Sequence, residues 1–114
     1  MPLSEKLLEA IDTPAVLVDQ DVAQANIARF QAYADAHGLR VRPHIKTHKL
    51  PAIAELQLAA GAIGITCQKV SEAAAMVAGS PAIRDVLITY NILGAAKLQA
   101  LRALAAKVRL SVVA

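Results

Sequence analysis

The chain has 114 residues, of which 56% are hydrophobic and 18% charged, and its formal net charge is +3. That length suits one ordinary domain with its own core, and the apolar fraction excludes a disordered chain. Aromatics make up 3% with no Trp, so stacking platforms for single-stranded nucleic acid are scarce, and the small excess charge suits an anionic small ligand better than a polyanion.

The predicted elements alternate. Residues 4–11 read as a short amphipathic helix with Leu7, Leu8 and Ile11 on one side, broken by Asp12-Thr13-Pro14. Residues 15–18 are a short apolar run that reads as a buried strand. Asp19 or Asp21 can cap the next helix, which carries Ala23, Ile27, Phe30 and Ala34 at helical spacing and ends at His37-Gly38. A second strand is expected over residues 39–45. Pro51 suits the first turn of the helix that follows, with Ile53, Leu56 and Ala60 inward and Gly61 as its stop. A third strand over residues 62–66 leads to Cys67 and Gln68, and Ser71 is expected to cap a helix closed by Gly79-Ser80-Pro81. A fourth strand over residues 85–89 precedes Tyr90-Asn91. Gly94 then opens a helix with Leu98, Leu101 and Ala105 inward, and residues 108–113 form a fifth strand. No hairpin signal separates these strands, so each helix is a crossover between parallel strands. The expected class is therefore α/β.

Chemistry concentrates in Arg42-Pro43-His44-Ile45-Lys46-Thr47-His48-Lys49, between the second strand and its helix. The carboxyl ends of strands are where α/β folds place their sites. A lysine among neighbouring cations is biased toward the neutral, nucleophilic amine, and the same cations attract a phosphate. An imine-forming lysine beside an anion site is what pyridoxal phosphate requires. The same cluster also suits a basic loop that holds phosphate or nucleic acid, or a solvated turn. His44, two residues before Lys46, would share its side of a strand. His37, His44 and His48 do not make a metal-ligand pattern. Cys67, the single cysteine, excludes an internal disulfide, points to a reducing compartment and reads as a buried thiol.

These blocks resemble a known family. The motif at residues 42–49, the opening Asp12-Thr13-Pro14-Ala15-Val16-Leu17-Val18-Asp19, the stretch Gly64-Ile65-Thr66-Cys67-Gln68-Lys69-Val70-Ser71-Glu72-Ala73 and the stretch Asp85-Val86-Leu87-Ile88-Thr89-Tyr90-Asn91 look like the D-threonine aldolase / D-serine dehydratase family, relatives of alanine racemase. The resemblance implies that Lys46, not Lys49, bonds pyridoxal 5'-phosphate, that Gln68 contacts the cofactor and that His44 packs near it. It implies a TIM-type (β/α)8 barrel of which residues 1–114 are the N-terminal part. The remaining strands and a C-terminal β domain are expected elsewhere in a longer enzyme, and this stretch alone is expected to be inactive.

The implied activity is that of a lyase on D-configured β-hydroxy amino acids. Retro-aldol cleavage of D-threonine or 3-hydroxy-D-aspartate type is the leading reading. D-serine dehydratase is the close alternative, and a non-catalytic pyridoxal-phosphate carrier a further one. A divalent metal is implied for the full-length enzyme, with no ligands in this stretch, together with a homodimer. Residues 1–6 lack the basic-then-apolar order of a signal peptide, and no apolar run approaches the roughly 20 residues of a membrane span. A cytoplasmic protein that engages neither membrane nor nucleic acid is expected.

Overall fold

The computed structural model describes residues 3–114, so Met1 and Pro2 of the amino-terminal segment lie outside the described residues. Helix α1 (Glu5–Ala10) begins where the Ser4 side chain accepts from the Leu7 amide at 3.3 Å. Helix α2 (Gln20–Ala36) begins where Asp19 Oδ1 accepts from the Val22 amide at 3.1 Å. Helix α3 (Pro51–Ala60) has its proline in the first turn, where the missing N–H costs nothing, and stops at Gly61 with φ 123°. There follow β1 (Ile65–Cys67), α4 (Val70–Gly79), β2 (Asp85–Ile88), α5 (Ala95–Ala105) and β3 (Arg109–Val112).

The three strands form one parallel sheet in sequential order, β1-β2-β3, with Thr66 opposite Leu87 and Leu87 opposite Ser111. Ile65, Cys67, Val86 and Ile88 alternate onto one face and pack, fully buried, with Ala54 of α3, Ala73 and Met76 of α4 and Leu104 of α5. Helix α3 packs on α4, and α4 on α5. The helices thus lie side by side over one face of the sheet.

Several expected elements differ. Residues 39–45 are not a full strand. The segment runs parallel beside β1, with Ile63 N donating to Val41 O at 2.9 Å, Thr66 N to Pro43 O at 2.8 Å and Ile45 N to Thr66 O at 3.0 Å, but one His44–Thr66 bridge is all that forms. Pro43 is the cause: it has no N–H to continue the ladder. Residues 15–18 lie outside the sheet and are not buried, Val16 being 95% exposed. Without a bonded neighbour, an apolar run has nothing to make it a strand. The third strand is displaced from residues 62–66 to Ile65–Cys67.

Two helices are rotated from expectation. On α2 the buried positions are Gln31 and Ala34, with Ala23 and Ile27 half-buried, while Phe30 is exposed. On α5 Leu104 is buried and Leu101 half-buried, while Leu98 and Ala105 are exposed. Ser71 is not the cap of α4. Lys69 occupies that position, and it makes no side-chain capping bond.

Arg42 crosses behind β1 to Asp85 at the start of β2, with Nε 2.6 Å from Oδ1 and Nη2 3.1 Å from Oδ2. Asp85 also faces Arg109 of β3 at 3.7 Å. Gly64 makes room for this arrangement, since a Cβ there would stand 2.4 Å from the Asp85 carbonyl oxygen and 2.8 Å from its Cβ. Gly64→Ala is therefore expected to cost about 1–3 kcal/mol, because the obstacle is backbone and cannot move aside alone. Urea unfolding followed by circular dichroism checks this; an unchanged midpoint would refute the close approach. Cys67 is fully buried, and burial pushes its thiol up to about 12. It should react with an aromatic disulfide reagent only once the chain is unfolded.

Candidate active site

The basic motif divides between the two ends of the sheet. Arg42 is drawn to Asp85 at the amino end of β2 and leaves the cluster. Ile45 is the last residue in line with the sheet, and its side chain is fully buried in the core. Burial of this kind stabilises by about 1.5–3 kcal/mol and fixes where the chain leaves the interior. Lys46, Thr47 and His48 then form a turn, closed by Lys49 N donating to Ile45 O at 2.8 Å. Lys46 is thus not on a strand, so the strand alternation that would align it with His44 does not apply.

Two histidines shape this turn in the same way. His44 Nδ1 accepts from the Lys46 amide at 3.2 Å, and His48 Nδ1 accepts from the Leu50 amide at 3.0 Å. A ring nitrogen that accepts must be unprotonated, so each imidazole is neutral with its proton on Nε2. The surroundings agree. His44 is held below the usual histidine value first by burial and then by the charge of Lys46, with Glu72 opposing. His48 is lowered by burial, opposed by the Gln57 side chain and by Glu72.

Lys49 closes the turn in the left-handed region, at φ 52°, a conformation that costs a residue with a Cβ about 1–2 kcal/mol. Its amine meets a carboxylate there, Nζ lying 3.6 Å from Glu72 Oε1. Glu72 is buried, in the first turn of α4, and its Oε2 accepts from the Gln68 amide at 2.8 Å. One carboxylate therefore joins the end of the basic turn to the junction of β1 and α4. It reaches back past the N-cap Lys69 to the residue before it, one residue further than the glutamate of a capping box does. The Lys46 amine is exposed, with no ion-pair or hydrogen-bond partner among the described residues.

Gln68 directly follows β1, at the same end of the sheet as the turn. It borders two clefts. One, of about 360 Å³, is lined by Lys49, Gln68, Lys69, Glu72 and Tyr90. The other, of about 380 Å³, runs between α4 and α5 and also takes in Asn91 and Lys97. Lys46 and His44 border neither of these two clefts. The fold thus brings Gln68 together with Tyr90, Asn91 and the Lys49–Glu72 pair, and sets Lys46 on the adjoining turn. The Gln68 side chain is exposed and makes no hydrogen bond among the described residues, which leaves its amide available to a ligand. Sequence reading did not foresee that Glu72 reaches Lys49. The signal present was a glutamate three residues after Lys69, which marks a helix start but not a partner across the fold.

No group of three or more His, Cys, Asp or Glu side chains among the described residues could hold a metal ion. No helix among them is long and apolar enough to cross a membrane.

A parallel α/β unit with a lysine turn at its carboxyl edge is the class that this geometry defines. Comparison makes it specific. No family profile matches the chain. It is 47% identical over 92% of its length to D-threonine aldolase of Arthrobacter sp., and 42% identical over 80% to 3-hydroxy-D-aspartate aldolase of Paracoccus denitrificans. Of those two it spans 27% and 23%. Among solved structures it resembles a D-threonine aldolase from Filomicrobium marinum, with TM-score 0.86 and 45% identity over 92% of this chain and 28% of that one. It also resembles a metal-free form of a D-threo-3-hydroxyaspartate dehydratase, with TM-score 0.70 and 42% identity over 84% of this chain and 26% of that one. Its homologues are thus D-threonine aldolase and the 3-hydroxyaspartate aldolases and dehydratases, and it spans about a quarter of the length of these relatives.

The lowered histidine values fix a sign for pH. Because the neutral rings are favoured in the fold, their contribution is complete above the free value of 6.5 and is lost as pH falls below it. NMR titration of the imidazole carbons should give midpoints below 6.5 for both His44 and His48. A midpoint above 6.5 for either would contradict the accepting role assigned to its Nδ1.

Proposed function

We propose that this chain is the N-terminal part, residues 1–114, of a pyridoxal-phosphate-dependent lyase that acts on D-configured β-hydroxy amino acids, and that Lys46 holds the cofactor. The observation that carries the assignment is the contrast between the two amines of the turn: Lys49 meets Glu72, whereas Lys46 has no partner among the described residues. A carboxylate beside an amine favours its protonated, non-nucleophilic form, and condensation of the free amine with an aldehyde forms a carbon–nitrogen bond and releases water. Lys46 also sits beside a neutral His44 and on the same edge as Lys49 and Lys69, a surrounding that suits an anionic cofactor.

Pyridoxal phosphate, when bound, supplies the electron sink for a bond broken at the substrate Cα. The chain's own residues hold and orient. His44 fixes the amide of Lys46 and so the direction in which its side chain departs. Gln68, exposed at the end of β1, contacts the cofactor from the adjacent cleft. Retro-aldol cleavage is the favoured reaction, from the two aldolase relatives named above. Dehydration is the second reading, favoured by the dehydratase likeness. A non-catalytic carrier would share the lysine but not the substrate chemistry.

The architecture proposed is the first part of a (β/α)8 barrel. Sequential parallel strands with consecutive helices side by side over one face support it, since a doubly wound sheet would put helices on both. The full-length enzyme is proposed to be a cytoplasmic homodimer, with a C-terminal β domain and a divalent metal. The side chains described here make no site for that metal, so no step is assigned to it.

The test is to add pyridoxal phosphate, reduce with borohydride and map the labelled peptides by mass. Label concentrated on Lys46 is expected, and Lys46→Ala should abolish it. Label scattered over Lys69 and Lys97, with Lys46 unmodified, would refute the assignment.

A further inference from the structure

The turn presents two primary amines three residues apart on one edge, and an aldehyde cofactor has to choose between them. We infer that Glu72 is the positioning residue that makes this choice, by holding the Lys49 amine at the β1–α4 junction and leaving Lys46 to bond the cofactor. The inference rests on the reading of Lys46 as the attachment point and explains why its neighbour is not.

Three observations meet at this carboxylate. Its side chain is 5% exposed, so it cannot be satisfied by water alone and needs its donors from the protein. One oxygen takes the Gln68 amide at 2.8 Å, which fixes the carboxylate to the end of β1, and the other faces Lys49 Nζ at 3.6 Å. Lys49 pays for its place with a left-handed backbone, φ 52°, and its amine reaches Glu72 in the first turn of α4. Lys46 and Lys49 are therefore chemically alike but differently placed. Bonding the cofactor needs the nitrogen lone pair to form the bond to the aldehyde carbon, with the aldehyde oxygen and two protons leaving as water. At Lys49 that step would also break the contact with Glu72 and leave a buried carboxylate without its cation. At Lys46 no such contact is lost.

The pair is half in solvent, since Lys49 is 60% exposed, so its effect is a bias and not a block. In Glu72→Gln the amide oxygen can still accept from the Gln68 N–H, but the charge is gone. After treatment with pyridoxal phosphate and borohydride, the ratio of label on Lys49 to label on Lys46 should rise by about 1.5- to 5-fold over the wild-type chain. An unchanged ratio overturns the inference. A second measurement needs no mutant: in the wild-type chain the same ratio should climb as NaCl is raised from low concentration to about 1 M, where screening shortens to about 3 Å. A ratio insensitive to salt, or equal labelling of both lysines at low salt, overturns it as well. Lys49→Arg, which keeps a cation for Glu72 but offers no amine, should retain full labelling at Lys46, and loss of that labelling would show that the Lys49 amine itself is needed. The two readings fail differently. Absence of label on Lys46 in a folded wild-type chain overturns the attachment reading and this inference together, whereas label on Lys46 with an unmoved ratio overturns the role of Glu72 alone.

Discussion

The contact on which the arrangement depends is the fork of Arg42 around Asp85, passing where Gly64 has no side chain. It joins three consecutive segments at their amino ends: the extended stretch before the basic turn, β1 through the glycine that precedes it, and β2 through the aspartate that begins it. Pro43 weakens the hydrogen-bonded ladder between the first two of these. A two-pronged charged contact therefore supplies alignment that backbone bonds alone do not. Breaking such a pair would leave Asp85 almost buried without a full partner, which is costlier than the pair is stabilising.

With that end aligned, the other end follows by counting. His44 stands opposite Thr66, so the residues after Ile45 emerge level with Gln68 and with Thr89-Tyr90 beyond β2. Ile45 anchors the exit in the core, and the chain above it is free to turn. The same division of labour recurs within the motif. Arg42 and Ile45 serve the fold, His44 and His48 hold amides of the turn, Lys49 ties the turn to α4, and Lys46 is left without a partner among the described residues. A cluster that looks uniformly basic in sequence is thus sorted by position into structural charges and one available amine.

The large apolar side chains that stay exposed belong mainly to the amino-terminal third and to the margins of the sheet. Val16, Phe30, Tyr33 and Leu93 are among them. Residues 15–18 have the composition of a buried parallel strand but no bonded neighbour in the sheet. Exposed surface of this kind is what a larger assembly of strands and helices would cover, in keeping with relatives about four times as long as the stretch described.

Local chemistry was legible in the sequence wherever a short-range rule decides. The proline start of α3, the glycine stop at Gly61, the cap by Asp19, the strand at β2 and the inert Cys67 all follow from backbone preference or from continuous hydrophobicity. The place of the basic turn just before α3 was legible as well, although the strand expected to lead into it forms only one bridge. Choices between near-equivalent residues were decided only by tertiary structure. Periodicity could not say whether α2 would bury Phe30 or Gln31, because which side faces the core is set by the neighbouring helix. Nor could it say that Arg42 would leave the cluster for a carboxylate 43 positions away, or that Glu72 would meet Lys49. Those pairings depend on strand register and on a glycine's missing side chain, and a linear pattern carries neither.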